Sequence, residues 1–173
     1  MTEIELEKTY LAKHLPKDLK KYDSKEIKDI YLPKKSYHPN LRIRKNGDVY
    51  QMTKKEPVVD RDSSEQFEYT IKLTKDEFVA LEKLSGKEVR KIRYYYKSQG
   101  QTYEIDVFKD ALVGLVLVDV EFTNKKDKDA FRMPDFCLAE VTQAETFAGG
   151  MLAGKKYKDL EKSLNKYKYI KIK

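Results

Sequence analysis

The segment TEIELEKTYL, residues 2–11, shows the pattern from which the fold of this chain is predicted. In an extended strand, successive side chains point to opposite faces, so Glu5 and Glu7 project to one side and Leu6 and Tyr10 to the other. The segment therefore predicts a β-strand with one acidic face and one mostly apolar face.

A pair of charged residues at positions i and i+2 recurs on four more predicted strands. On a single strand this pattern is typical of an ordinary sheet that turns its charged face to water. Its repetition favours a closed antiparallel barrel, because closure brings every charged face to the interior. The pairs are Glu5 and Glu7, Arg42 and Arg44, Lys91 and Arg93, Glu104 and Asp106, and Asp119 and Glu121.

Turn and cap residues delimit the predicted elements. Asn46-Gly47 favours a type I′ turn and predicts a hairpin of strands 41–45 and 49–55. Thr74 and Glu77 form a capping-box pattern, which predicts a helix that ends at Gly86. The other predicted strands are 27–32, 65–73, 89–97, 101–108 and 115–122, with helices over 124–131 and 157–164, a turn at Gly149-Gly150 and a β-prone tail over 167–172.

The apolar partners of the charged rows are predicted to face outward. On strand 115–122 they are Val116, Val118, Val120 and Phe122, and we expect helices to cover them. No linker divides the sequence. The predicted architecture is therefore one α+β domain over residues 1–173, a closed antiparallel β-barrel with flanking helices.

Composition narrows the classes of partner and compartment. A formal net charge of +7 suits a nucleic acid, an acidic membrane surface or a small polyanion. The single cysteine, Cys137, excludes an internal disulfide, and no apolar run is long enough for a signal or a membrane span. We therefore expect a cytoplasmic protein that does not enter a membrane. The sequence has no GxxxxGK[ST] loop, which excludes a P-loop phosphate site.

A charged barrel interior restricts the ligand that it can hold. A buried charge without a counter-charge costs several kcal/mol, so the interior needs ion pairs, water or a charged ligand. Carboxylates supply the hard oxygen ligands that Mg²⁺ or Mn²⁺ prefers, and arginine and lysine neutralise phosphates. A polyphosphate anion bound together with a divalent metal satisfies both signs of charge.

A series of short motifs follows along the chain: Glu5-Leu6-Glu7-Lys8-Thr9-Tyr10-Leu11, Arg42-Ile43-Arg44, Thr53-Lys54-Lys55, Phe67-Glu68, Lys91-Ile92-Arg93, Glu104-Ile105-Asp106-Val107-Phe108 and Leu117-Val118-Asp119-Val120-Glu121-Phe122. Each motif alone is weak, but their ordered combination resembles the CYTH, or triphosphate tunnel metalloenzyme, family over nearly the whole chain. The first segment resembles the family's ExExK signature.

The resemblance implies an eight-stranded antiparallel tunnel that binds triphosphate compounds. Its members hydrolyse inorganic triphosphate or thiamine triphosphate, or cyclise ATP to cyclic AMP. The motifs assign the divalent metal to Glu5, Glu7, Asp119 and Glu121, and the substrate to Arg42, Arg44, Lys55, Glu68, Lys91, Arg93 and Asp106. Catalytic roles are assigned to Glu5, Glu7, Lys91 and Glu121, and Glu104 is a further inward acid.

Two positions depart from the family pattern. Gln66 occupies the first position of an acidic pair whose second member is Glu68. Thr9 stands where the signature lysine is expected, and Lys8 cannot replace it because adjacent strand residues face opposite sides. The loss of this positive charge bears on substrate choice and turnover.

The sequence thus predicts a metal-dependent triphosphatase that acts on a small polyanionic substrate. Inorganic triphosphate is the preferred substrate, ahead of a nucleoside or thiamine triphosphate. Two alternatives stay open: a class IV type adenylyl cyclase, and a non-catalytic module that binds polyphosphate or nucleotides. The lysine-rich segment 155–173 is typical of a solvated basic surface, so a nucleic acid is not expected as a partner. We expect a monomer or a homodimer.

Overall fold

Nine antiparallel strands form a single sheet in the computed structural model, which describes residues 2–59 and 62–173. The strands are β1 (Thr2–Ala12), β2 (Ser24–Leu32), β3 (Leu41–Asn46), β4 (Val49–Pro57), β5 (Glu65–Leu73), β6 (Lys87–Ser98), β7 (Gln101–Phe108), β8 (Val116–Phe122) and β9 (Cys137–Glu140). The predicted strands are all present, and β9 is one that the sequence pattern missed.

Closure of the sheet into a barrel depends on β1. The strands follow the order β5-β4-β3-β2-β6-β7-β8-β1, and the first residues of β1 also pair with β5. The short strand β9 pairs only with the far end of β1, so it extends the sheet and lies outside the ring. The structure confirms the predicted closed eight-stranded antiparallel barrel.

The strand register brings the paired charges to the interior. Residues that lie directly opposite each other in antiparallel strands share a face. Glu7 lies opposite Glu121, and Arg93 lies opposite Asp106. The two-residue period of each strand then carries whole rows of charge to the inside.

The outward apolar row of β8 is buried as predicted, but loop residues, and not helices alone, cover it. Val116, Val118 and Val120 are buried in a cluster that Phe131 and Phe136 partly cover. The barrel therefore has an apolar exterior on this side and a charged interior.

Four helices flank the barrel in the described part of the chain. Thr74 begins the first with the predicted capping box, since its hydroxyl accepts from the Glu77 backbone and the Glu77 carboxylate accepts from the Thr74 backbone. None of the described helices is long and apolar enough to cross a membrane. The helices are α1 (Lys75–Glu82), α2 (Lys125–Ala130), α3 (Gly149–Leu152) and α4 (Tyr157–Lys166).

Three local predictions are wrong. Helix α1 ends at Glu82, before Gly86, and Gly86 instead allows a close approach to β2, since a Cβ there would collide with the Ile30 side chain. Gly149-Gly150 starts α3 instead of forming a turn. The tail 167–172 forms no strand, since Lys168 has a left-handed φ of 55°, and the Tyr169 hydroxyl instead binds the backbone of Gly114 and Val116.

An apolar cluster closes one end of the barrel. Leu11, Val89, Phe108 and Leu117 continue the inward rows beyond the charged positions and pack with residues of α3 and α4. The charged part of the interior is therefore bounded on one side by the C-terminal region, which includes the buried residues Leu152, Leu160 and Leu164.

Candidate functional site

The charged interior forms one cavity of about 800 Å³. All the residues with predicted site roles line this cavity: Glu5, Glu7, Arg42, Arg44, Lys55, Glu68, Lys91, Arg93, Asp106, Asp119 and Glu121. They come from β1 and from β3 through β8, and the barrel register alone brings them together.

The cavity lining is acidic although the whole chain is basic. Among the described residues, nine carboxylates and five lysine or arginine side chains line it. Glu104 lines the cavity as the further inward acid that the sequence predicts, and Asp62 and Glu145 are acids that it did not predict. The positive net charge of the chain, +7, therefore lies outside the cavity.

Three carboxylates meet at the β1–β8 wall. Oxygen atoms of Glu5, Glu7 and Glu121 lie within 4.8 Å of one another, close enough to share a metal ion. Asp119, the fourth predicted ligand, is outside this cluster. Its carboxylate instead accepts from Arg93 at 3.1 Å and from the Thr9 hydroxyl at 2.9 Å.

The crowding of these acids raises the pKa of two of them, Glu7 and Glu121. Burial, together with the neighbouring charge of Asp119, raises the pKa of Glu7 well above its usual value. Burial and the charges of Glu104 and Glu5 raise the pKa of Glu121 to about 7. A divalent cation among these carboxylates would relieve their repulsion, so the donor set fits a metal ion.

A second group of charges is held by Asp106 at the centre of the cavity. Its carboxylate accepts two hydrogen bonds of 2.7 Å from Arg93 and also contacts the Lys91 ammonium. Burial alone would raise the pKa of Asp106, but Arg93 and Lys91 outweigh it and lower the pKa to about 2. Burial lowers the pKa of Lys91 itself. Arg93 also pairs with Glu104.

Arg44 is fixed by a carboxylate that the sequence reasoning missed. Asp29 accepts hydrogen bonds of 2.6 and 2.8 Å from the Arg44 guanidinium, and both side chains are buried. Asp29 lies inside the predicted strand 27–32, but its neighbours at i−2 and i+2 are Ile27 and Tyr31, so it was not among the paired charges from which the interior was predicted.

Lys55 connects the carboxylate cluster to β5. Its ammonium contacts Glu5 and lies 3.4 Å from Glu68, which also accepts a 2.7 Å hydrogen bond from Thr70. Burial opposes the charge on Lys55, yet Glu7 and Glu5 keep its pKa above the usual value. Glu68 thus orients a cation and presents no donor to an anion.

Arg42 is the lining cation with the least compensation. It donates to the Tyr31 hydroxyl at 3.3 Å, and its buried Nε has no hydrogen-bond partner in the described part of the chain. A buried donor without a partner is unfavourable, so a ligand oxygen at this point would stabilise it. Arg42 is therefore the cation best prepared to receive an anion.

Comparison with known proteins identifies the family. A model of the CYTH domain matches residues 1–133. The chain belongs to the CYTH family. An inorganic triphosphatase of Nitrosomonas europaea is 34% identical over 130 residues, which cover 73% of this chain and 83% of that protein.

Solved structures agree with the CYTH assignment. The crystal structure of an inorganic triphosphatase aligns with a TM-score of 0.63 and 29% identity, over 87% of this chain and 95% of that one. A protein from Pyrococcus horikoshii shares the fold, with a TM-score of 0.51 and 22% identity over 72% of this chain and 83% of that one.

The C-terminal part of the CYTH protein, beyond the matched residues, completes the cavity. Thr142, Gln143 and Glu145 line it, and the Glu145 carboxylate accepts a 3.1 Å hydrogen bond from His38 Nδ1 in the loop before β3. No periodic signal marks these loop residues in the sequence, because their positions depend on how β9 and α3 return to the barrel.

Thr9 faces the cavity in the CYTH protein, on the same side as Glu5 and Glu7. Lys8 points away and lies 3.7 Å from Glu140 on β9. The alternation therefore holds through the first strand, and the position of the signature lysine is occupied by a hydroxyl that contacts Asp119.

We predict that divalent metal binding releases protons below about pH 7. The pKa of Glu121, raised to about 7, means that this carboxyl group largely retains its proton at pH 6, and the raised pKa of Glu7 acts in the same direction, so a metal must displace protons. Affinity should fall by roughly tenfold per pH unit for each displaced proton below pH 7, and level off above about pH 8. Calorimetric titration of Mn²⁺ in two buffers of different ionisation enthalpy measures the proton count.

Glu121→Gln provides the matched control, since it should release fewer protons at pH 6 than the native protein. A titration that releases no protons at pH 6 and keeps the same affinity at pH 6 and 8 would contradict the prediction.

Proposed function

We propose that this CYTH protein hydrolyses inorganic triphosphate with the help of Mg²⁺ or Mn²⁺. The proposal is supported by its similarity to the inorganic triphosphatase of Nitrosomonas europaea. It is also supported by a cavity in which a carboxylate cluster and five cations face each other. The cavity size suits a small polyanion.

The excess of carboxylates in the lining is the observation that best supports a metal-bound substrate. The nine acids and five bases among the described lining residues would repel a bare polyanion, whereas a metal-bound triphosphate presents both signs of charge to matching partners. A cavity built only for phosphate would have the opposite balance. The substrate is therefore the metal complex of triphosphate.

Glu5, Glu7 and Glu121 would hold the metal, with Asp119 beside them. When bound, the metal would neutralise phosphate oxygens and make the phosphorus a better target for water. The remaining work falls to the protein's own side chains, which position the phosphates and move a proton.

The cations divide into two groups by their partners. The buried Nε of Arg42 has no hydrogen-bond partner in the described chain, and Lys55 divides its contacts between Glu5 and Glu68. We therefore assign these two cations to the phosphates that enter first. Arg44 and Arg93 are held rigidly by Asp29 and Asp106, so they offer preorganised donors at low entropic cost.

Lys91 is suited to general acid catalysis. Burial lowers its pKa, while the pKa of Lys55 is raised, so Lys91 is the lysine of the pair that releases its proton more readily. We assign it the transfer of a proton to the oxygen of the departing phosphate.

The compartment and the oligomeric state are also proposed here. The only cysteine, Cys137, is buried, which suits a reducing compartment such as the cytoplasm. We propose that the protein is a monomer or a homodimer. Its binding partner is the small polyanionic substrate.

Phosphate release from triphosphate, thiamine triphosphate, ATP and GTP tests the proposal. We expect the highest kcat/KM with inorganic triphosphate and no activity in EDTA. Cyclic AMP formed from ATP would favour the cyclase alternative, and tight binding of every substrate without turnover would favour the binding module.

Glu7→Gln should reduce kcat/KM for triphosphate by at least about 100-fold while the fold is retained. The amide keeps the shape of the side chain but loses the charge that holds the metal. The matched control is Lys8→Gln on the outward face, which should change kcat/KM by less than about twofold. Native activity in Glu7→Gln would remove β1 from the site.

Thr9→Lys should lower the KM for triphosphate, with kcat unchanged or higher. A lysine would add a sixth cation to an acidic lining, although Asp119 would share part of its charge. We expect an effect near roughly fivefold, at the lower end of charge-assisted hydrogen bonds. Steady-state kinetics with Thr9→Gln as the neutral control separates charge from length. Equal KM values in both variants would place the phosphates away from Thr9.

A further inference from the structure

Strand pairing is interrupted on one edge of β1, and this gap covers Glu7, Lys8 and Thr9. On one edge of β1, β5 pairs with Thr2–Leu6 and β9 pairs with Tyr10–Ala12. Between these two partners, no strand of the described chain pairs with β1 on that edge. We call this gap the seam, and it lies where Glu7 and Thr9 project into the cavity.

Two loops close the seam in place of a strand. The Ser64 carbonyl accepts from the Glu7 backbone at 3.0 Å, and the Thr142 hydroxyl accepts from the Thr9 backbone at 3.0 Å. The Thr9 carbonyl accepts from the Val141 backbone at 2.8 Å. A side-chain hydroxyl thus replaces the carbonyl that a neighbouring strand would supply to Thr9.

Gln143 joins the two loops to each other. Its Oε1 accepts from the Ser63 backbone at 3.0 Å, and its Nε2 donates to Asp62 Oδ1 at 2.9 Å. The same oxygen of Asp62 accepts from the backbone and hydroxyl of Ser64 at 2.9 and 2.7 Å. The amide of Gln143 therefore fixes the turn whose carbonyl holds Glu7.

We propose that Thr142 and Gln143 are positioning residues for the carboxylate cluster, an inference that rests on the metal-dependent function proposed above. Glu7 belongs to the cluster, but loop contacts hold its backbone at the seam on this edge. The direction of its side chain therefore depends on the loops that Gln143 ties together. Partners behind a metal ligand commonly change metal affinity by about 10- to 100-fold when they are removed.

Thr142→Val tests the hydroxyl contact without changing the size of the side chain. We expect Thr142→Val to bind Mn²⁺ roughly 10-fold more weakly than the native protein, measured by calorimetry without triphosphate. Amide hydrogen exchange of Thr9, measured by NMR, should be faster by about the same factor. Thr142→Ser keeps the hydroxyl and should match the native protein within about twofold in both measurements.

Gln143→Met provides a second, independent test at an exposed position. It removes both amide contacts at similar length, so Mn²⁺ should again bind roughly 10-fold more weakly. If Thr142→Val fails to fold, this variant decides the matter. Native Mn²⁺ affinity in Gln143→Met, or native affinity and native Thr9 exchange in Thr142→Val, would overturn the proposal.

The two measurements also separate this inference from the proposed function. A native protein that binds Mn²⁺ but releases no phosphate contradicts the triphosphatase proposal, and the variant titrations still test the positioning role. In a protein that binds no Mn²⁺, the metal-dependent function fails and the positioning role is overturned with it. Faster Thr9 exchange in Thr142→Val would then show only a structural contact.

Discussion

Every charge inside this barrel must face an opposite charge or a ligand, because an unpaired buried charge costs several kcal/mol. Asp106 meets the requirement for Arg93 and Lys91, and Asp29 meets it for Arg44. These pairs fix the cations before any substrate arrives. The requirement is met only in part at the carboxylate cluster, where Lys55 contacts Glu5 but three acids crowd together, and a divalent cation would satisfy it there.

The inward rows of the strands arrange the site in layers. At one end the rows are apolar and pack under the C-terminal region, as at Leu117. Two residues further along β8 comes Asp119, within reach of Arg93, and then Glu121 in the carboxylate cluster. One strand with a two-residue period therefore contributes to the apolar cluster at the end of the barrel, to the ion pairs around Arg93 and to the candidate metal site. The fold and the chemistry are set by the same alternation.

Alternation is also what made most of the molecule predictable from its sequence. The charged pairs, the hairpin at Asn46-Gly47 and the cap at Thr74 are local signals, and the structure contains all three elements. Asp29 was missed because it is a single charge on its face of β2, between Ile27 and Tyr31, and not one of a pair. Thr142 and Gln143 were missed because a loop carries no period, and their roles follow from long-range contacts with β1. The roles of the individual site residues remain predictions.

We expect the acidic cavity to accept triphosphate only together with a divalent cation. The decisive measurement is calorimetric titration of inorganic triphosphate into the native protein, with Mn²⁺ and then with EDTA. Binding should be at least roughly 100-fold tighter with Mn²⁺, since the excess carboxylates repel a bare polyanion. Equal affinity in EDTA would contradict it, because the five cations would then suffice without the metal.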